Sequence, residues 1–303
     1  MKQERRVHCE NKSIEFWIIE YGSLNMDHVY QVNHFVMPGE TISSGSLQHF
    51  CGGKGLNQSI ALARAGACVS HAGAIGQDGL VLKEQLEKDG ADVTCLQIRE
   101  EVGTGHAIIQ VDENGQNCII LYGGANQSIT REQVDDTLSY FEKGDIILLQ
   151  NEINELAYIM EQAGKKGLRI FLNPSPCDEK IKNLPLELVD TFLLNEVEGE
   201  QITGEKEAIL DALKEIFPQA HIVLTLGSKG ALYADQNQQV FRPAEKVKTV
   251  DTTAAGDTFT GYYIAAVSEG KTVEEALDLA TRAAAVAVTR QGAVPSIPYR
   301  QEL

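Results

Sequence analysis

The residues most able to do chemistry lie near the C-terminal end, in the run Asp251-Thr252-Thr253-Ala254-Ala255-Gly256-Asp257-Thr258-Phe259-Thr260-Gly261. Two aspartates flank five small residues, and an apolar, helix-compatible run follows through Tyr262, Ile264, Ala265 and Val267. The pattern predicts a tight turn that feeds a helix N-terminus at about Gly256. The first N–H groups of a helix lack internal partners, and with the helix dipole they attract anionic oxygen. Small side chains at Ala254, Ala255 and Gly256 would let a phosphate reach that backbone. Asp257 would stand beside the anion as a carboxylate able to take a proton from an attacking hydroxyl. The alternative for Asp257 is a simple helix cap.

Such a turn needs a frame, and alternating strands and helices provide one. A first strand over Glu15–Tyr21 ends before Asn25 and Asp27. These are either ligand-binding groups at a carboxyl edge or members of an Asx turn. Two short strands, Val29–Phe35 and Thr41–Phe50, flank a Pro38-Gly39 turn, an inserted hairpin that could cover a site. Gly52-Gly53-Lys54-Gly55-Leu56-Asn57-Gln58 then opens a helix with Ile60, Ala61, Leu62 and Ala63 apolar. It is neither a Walker loop nor the dinucleotide fingerprint, whose third glycine is missing. A strand over Val69–Ile75, a helix over Leu80–Lys88 and a strand over Val93–Ile98 follow. A second hairpin, His106–Val111 and Cys118–Tyr122, turns at Glu113-Asn114-Gly115. The two hairpins could pair into one small sheet.

From Thr130 the alternation is regular. Helices are expected over 130–141, 156–166 and 206–217, and strands over 145–149, 169–172, 191–194 and 221–225. A last hairpin, 231–235 and 239–242, leads to the turn, and an alanine-rich helix spans Val273–Thr289. The strands are short apolar runs, as in a parallel sheet covered on both faces. Polar residues repeatedly follow the strand ends: Gln150-Asn151-Glu152, Asn173, Asn195-Glu196-Val197-Glu198 and Gly227-Ser228-Lys229-Gly230. Their recurrence on one sheet edge predicts a ligand cleft.

The 303 residues suit one large α/β domain or two small ones. A net charge of −17 argues against general nucleic-acid binding, which needs a basic face. No segment is long and apolar enough to span a membrane. Residues 1–14 read as a polar extension without the apolar core of a signal peptide. The six cysteines are irregularly spaced, with no Cys-x-x-Cys pair, which predicts structural thiols in a reducing cytosol rather than disulfides or zinc.

Four strings, in this order and spacing, resemble the ribokinase branch of the PfkB carbohydrate kinase family. They are Gly22-Ser23-Leu24-Asn25-Met26-Asp27-His28, Gly52 to Gln58, Asn195 to Glu198 and Asp251 to Phe259. Pro38-Gly39-Glu40-Thr41 and Val288-Thr289-Arg290-Gln291-Gly292-Ala293 point the same way. The resemblance implies a doubly wound, mainly parallel α/β domain over 15–303. A small discontinuous β lid would come from about 24–50 and 103–122 and pair two chains into a homodimer. It implies a cytoplasmic kinase that moves the γ-phosphoryl of ATP to the 5-hydroxyl of D-ribose. The implied base is Asp257, with Ala254, Ala255 and Gly256 as anion hole. Asn25, Asp27, Gly53, Lys54, Asn57 and Glu152 would bind the sugar. Asn195 and Glu198 would lie near Mg²⁺ and the phosphates. Thr225, Gly227, Ser228, Lys229, Gly230 and Thr281 would belong to the nucleotide site. Asp251, Thr253, Ala287, Arg290, Gly292 and Ser296 would hold a monovalent cation such as K⁺, mostly through backbone oxygens. A kinase for deoxyribose or a nucleoside, and a non-catalytic sugar- or nucleotide-binding regulator, are the rival readings. Three positions depart from the family pattern: Thr260 where many members carry Asn, Thr281 where some carry His, and Glu20 in a normally apolar first strand.

Overall fold

The computed structural model describes residues 16–303. The polar extension, Cys9 and the first residue of the expected opening strand lie outside them. The chain runs β1 (Ile18–Tyr21), β2 (Asn25–Gln31), β3 (Ser46–Gly52), α1 (Lys54–Arg64), β4 (Val69–Gly76), α2 (Leu80–Asp89) and β5 (Asp92–Arg99). There follow β6 (Gly105–Val111), β7 (Asn117–Tyr122), α3 (Arg131–Leu138), β8 (Ile146–Gln150), α4 (Leu156–Lys166), β9 (Arg169–Asn173) and β10 (Thr191–Asn195). The last elements are α5 (Glu196–Thr203), α6 (Ile209–Ile216), β11 (His221–Thr225), β12 (Gly230–Ala234), β13 (Gln239–Pro243), α7 (Ala255–Ser268) and α8 (Val273–Ala287).

One sheet has the order β13-β12-β11-β10-β9-β8-β1-β4-β5. It is parallel from β11 to β5 and antiparallel at β12 and β13. Strand succession reverses between β1 and β8, the place where α/β sheets open a crevice. Side-chain alternation sorts the two cores. Ile18, Leu148, Phe171, Leu193 and Val223 pack with α1, α2, α7 and α8 on one face. Ile19, Tyr21, Leu149, Leu172, Leu194 and Leu224 pack with α3, α4 and α6 on the other.

The second sheet has the order β3-β2-β6-β7, two antiparallel hairpins joined by the parallel pair β2–β6. Its first hairpin differs from the expected strands at 29–35 and 41–50. The strands lie at Asn25–Gln31 and Ser46–Gly52, with Pro38-Gly39 in the loop between. Pairing of β2 on both edges draws Asn25 and Asp27 into a strand despite their weak β preference. The expected helix over 206–217 is α6, and a helix that was not expected, α5, precedes it and ends where Gly204 takes a left-handed conformation. The last helix stops at Ala287, short of Thr289. The cysteine expectation fails at Cys68, which is disulfide-bonded; Cys51, Cys118 and Cys177 are thiols.

Candidate active site

The expected turn ends on Ala254, which takes a left-handed conformation (φ 58°) and occupies the N-cap of α7 without a side-chain cap. The first helical bond runs from the Thr258 N–H to the Ala254 carbonyl, at 2.8 Å. Gly256 and Asp257 therefore sit ahead of the hydrogen-bond ladder, where N–H groups are open to an anion. Asp257 does not turn back to cap its own helix. Its Oδ2 accepts from Asn57 Nδ2 at 2.9 Å and its Oδ1 from Gln58 Nε2 at 2.8 Å, both on α1. The two helices meet this closely because Gly261, one turn beyond Asp257, lies against Ala61, one turn beyond Asn57. A Cβ on Gly261 would stand 2.4 Å from that of Ala61.

The N-terminus of α1 is held with equal care. Gly53 has φ 96°, and a Cβ there would meet the Ser23 carbonyl oxygen at 2.9 Å. Only glycine allows the chain to enter α1 this close to the β1–β2 connection. Glu152, just past β8, accepts from the Ser23 hydroxyl and from the Lys54 N–H. Burial pushes the Asp27 carboxyl up to about 7, with the charge of Glu152 adding to it. For Lys54, burial opposes the charge, but Asp257, Glu152 and Glu198 outweigh it and keep the ammonium. The sugar-site candidates Asn25, Asp27, Gly53, Lys54, Asn57 and Glu152 thus gather around the β1–β8 crevice.

Beside them, a cavity of about 230 Å³ is lined by Lys54, Asn195, Glu198, Ala254, Gly256, Asp257 and Thr260. A larger one, about 470 Å³, is lined by Thr225, Gly227, Ser228, Gly230, Thr281 and the apolar Val247, Phe259, Ala284 and Val288. Thr225, Thr252 and Gly256 border both, so one cleft leads from the apolar cavity across the turn to Asp257. Lys229, expected at the nucleotide site, has an exposed side chain. It lies outside both linings and its ammonium reaches toward Glu196, 3.6 Å away. Thr281 lines the larger cavity, but its hydroxyl donates to the Leu277 and Asp278 carbonyls within α8.

Asn195 and Glu198 form a capping box at the head of α5. Asn195 Oδ1 accepts from the Glu198 N–H at 2.9 Å, and Glu198 Oε2 from the Asn195 N–H at 3.0 Å. One oxygen of Glu198 remains for the cleft. Asp251 bridges two segments: Oδ1 accepts from the Thr253 N–H and hydroxyl, and Oδ2 from the Gly292 N–H at 2.9 Å. Burial opposes ionisation there, but these hydrogen bonds outweigh it and hold the carboxyl below the usual range. Ser296 donates its hydroxyl to the Ala293 carbonyl. The Arg290 guanidinium pairs with Glu302, leaving only the backbone of Arg290 for any ion beside Asp251.

Residues 18–300 match the model of the pfkB family of carbohydrate kinases. The chain belongs to this family. It is 35% identical over 291 residues to the ribokinase of Haemophilus influenzae, covering 93% of this chain and 95% of the relative. The deoxyribokinase of Salmonella typhi is 32% identical over 287 residues, covering 91% and 94%. The structure of Arabidopsis thaliana ribokinase complexed with ribose and ATP aligns with TM-score 0.86 at 30% identity, over 95% of this chain and 97% of that one. This chain is an ATP-dependent carbohydrate kinase.

Three residues of this pfkB member that sequence reasoning left out of the site support it from behind. Asn126 donates to Asn25 Oδ1 and to the Leu24 carbonyl and accepts from the Leu24 N–H, fixing the entry into β2. Gln58 touches Asp257 directly and also donates to Asn173 Oδ1. Gln150 donates to Gln58 Oε1 at 2.6 Å. Gln150 was visible as the polar end of an apolar strand, and Gln58 stands beside Asn57 in the glycine-rich string that opens α1; Asn126 carried no such signal.

Proposed function

We propose that the chain transfers the γ-phosphoryl group of ATP to the 5-hydroxyl of D-ribose. The observation that carries this reading is the placement of Asp257. Two amides orient its carboxylate at the head of a helix whose open N–H groups border the cleft. Phosphoryl transfer needs an oriented nucleophile and compensation of charge on the transferred group. Asp257 takes the proton of the sugar hydroxyl. The N–H groups of Gly256 and Asp257 and the ammonium of Lys54 offset the charge that develops. Asn25, Asp27, Asn57 and Glu152 supply fixed donors and acceptors for the remaining hydroxyls. The apolar cavity between α7, α8 and residues 244–249 takes the adenine, with Thr225, Gly227, Ser228 and Gly230 along its edge.

Mg²⁺, bound with the nucleotide, supplies further charge neutralisation. It is usually held by substrate phosphates and one or two carboxylates, and Glu198 has one oxygen for that purpose. Backbone oxygens of Asp251, Thr253, Ala287, Arg290, Gly292 and Ser296 suit a monovalent cation. The carboxylate of Asp251, which ties both segments together, favours one there electrostatically. Among the described residues no group of three or more His, Cys, Asp or Glu is placed to hold a metal, and neither proposed site needs one.

The small sheet is proposed as a lid and as the surface that joins two copies. It exposes Phe50, Ile119 and Leu121 on the face that also carries Asn25 and Asp27, and Leu47, Ile108, Ile120 and Tyr122 on the opposite face. The first face is suited to close over sugar, and the second to bury against a copy. No helix among the described residues is long and apolar enough to cross a membrane; ATP as co-substrate favours a cytoplasmic place.

The test is ADP release with Mg-ATP and K⁺ across ribose, deoxyribose, fructose and adenosine, with Asp257→Asn as control. Strong turnover with ribose is expected. The variant should lose a factor on the order of 10²–10⁴ in kcat while keeping its melting temperature. Near-normal turnover in Asp257→Asn would remove Asp257 as the base. Turnover with deoxyribose alone would keep the mechanism and replace the sugar.

A further inference from the structure

Glu20 sits third in the four-residue strand β1, whose every residue is buried. Alternation turns it to the face of Ile18, toward α1. Its Oε1 accepts from Gln150 Nε2 at 2.8 Å. The same nitrogen donates to Gln58 Oε1, and Gln58 Nε2 donates to Asp257 Oδ1. Two amides therefore connect a buried carboxyl at the centre of the sheet to the carboxylate at the cleft.

The chemistry of this chain of bonds is directional. Gln150 has both of its N–H groups aimed at oxygens, one on Glu20 and one on Gln58. That fixes the sense of its amide, and a fixed Gln150 leaves the Gln58 nitrogen facing Asp257 and Asn173. Without Glu20, one buried N–H of Gln150 would lose its partner, which buried donors rarely tolerate. The amide would swing toward another acceptor and release Gln58. Two buried oxygens of the pair, Glu20 Oε2 and Gln150 Oε1, have no donor, and a protonated carboxyl brings an O–H donor to that pair. Burial, which outweighs the bond from Gln150, pushes the Glu20 carboxyl well above its usual range, and the charge of Asp257 adds to the effect. His71, in register on β4, is buried and bonded to Ser59, with its imidazole pushed down to about 3 by burial, so it brings no charge. Lys54 and Glu152 act on Asp257 from the cleft.

We propose that Glu20 is a positioning residue for Asp257, a buried carboxyl that sets the orientation of the base through Gln150 and Gln58. The inference rests on the reading of Asp257 as the base.

The test uses the full chain with four variants, Glu20→Leu, Glu20→Gln, Gln150→Met and the double variant Glu20→Leu/Gln150→Met, beside Asp257→Asn. Melting temperature, kcat and the KM for sugar are measured for each. Glu20→Leu is expected to lower kcat by roughly ten- to a hundred-fold, the scale of a misplaced reacting group. The sugar KM should stay within about three-fold, because Glu20 touches no part of the sugar site. Glu20→Gln should recover most of kcat, since its amide oxygen accepts the same bond without charge. Gln150→Met cuts the link one residue later and should reproduce the loss even if Glu20→Leu does not fold. The double variant should be no worse than the poorer single one, as for members of one linkage. A kcat within about two-fold of the parent in Gln150→Met and in any folded Glu20→Leu, with Asp257→Asn inactive, would overturn this inference and leave the base in place. A loss confined to KM, or no recovery in Glu20→Gln, would overturn it too. Turnover in Asp257→Asn would instead remove the base, and this inference with it.

Discussion

Replacing Gly261 by alanine should damage catalysis far more than stability. The added Cβ would stand 2.4 Å from the Ala61 Cβ, 2.8 Å from the Leu62 nitrogen and 3.0 Å from the Ala61 carbonyl carbon. Carbon atoms pack at about 3.5–4.0 Å, so α1 and α7 must part locally by about 1.1–1.6 Å. The bonds from Asn57 and Gln58 to Asp257 now measure 2.9 and 2.8 Å. Such a separation would carry them to roughly 4 Å, beyond hydrogen-bond length. Overpacking costs about 1–3 kcal/mol, and glycine-to-alanine in a helix returns about 1 kcal/mol. The net loss is about 0–2 kcal/mol, a shift of a few degrees in Tm. Loss of orientation at the base should cost on the order of 100-fold in kcat. Thermal melting and ribose-dependent ADP release measure the two effects separately. Adding Ala61→Gly to Gly261→Ala removes the worst contact and should return part of the lost turnover. Parental kcat at an unchanged Tm in Gly261→Ala would refute the claim that close helix approach positions Asp257.

Two further outcomes follow from the charges at the cleft. Asp27 is raised to about 7, so the folded chain holds its proton where the unfolded chain has released it. The stability tied to that proton is full below the ordinary carboxylate range and disappears as pH rises through about 7. Asp27→Asn should therefore melt higher than the parent at about pH 8, with the gap closing toward about pH 4. Parallel melting curves across that range would count against a buried, raised carboxyl. Ionised Asp27 is also the better acceptor for sugar hydroxyls, so the parental ribose KM should fall between about pH 6 and 8 while that of Asp27→Asn stays flat. The proposed monovalent site braces the turn before α7 against residues 288–296. K⁺ should raise turnover over Na⁺ or a cation-free organic buffer, and equal rates in all three would dispose of that site.

Much of this architecture was legible because two periodicities rarely conflict in the chain. Strands β8 to β11 are short apolar runs bounded by polar residues, and α4 and β11 begin and end where the pattern places them. The turn before α7 was readable from small residues alone. What escaped depends on tertiary pairing. Asn25 and Asp27 resemble loop residues, and only pairing to β3 and β6 makes β2 a strand. Helix α5 carried its own signal, the Asn-x-x-Glu of a capping box. Those two residues were assigned to ligands, although one carboxyl oxygen can cap while the other faces the cleft. The neighbours of Lys229 in sequence line the cavity, whereas its own long side chain reaches solvent and Glu196.

The same alternation that builds the core also builds the site. Along β8, β9, β10 and β11, the residue two beyond a core position is Gln150, Asn173, Asn195 or Thr225, each turned to the face of α1 and α7. A polar end to an apolar strand is thus a residue delivered to the cleft. Glu20 breaks that rule, since it pairs in register with the apolar Leu148 rather than with Gln150. The position level with Gln150 on β1 would be Gly22. A Cβ there would lie 2.4 Å from both Glu20 Oε1 and Gln150 Oε1. The absent side chain at Gly22 leaves the volume through which Glu20 reaches forward to the amide. A carboxyl in the middle of a buried strand is therefore tolerated here because a glycine two residues on admits its head group. The acid and the glycine act as one unit, extending the polar end of β1 to the depth of its neighbours.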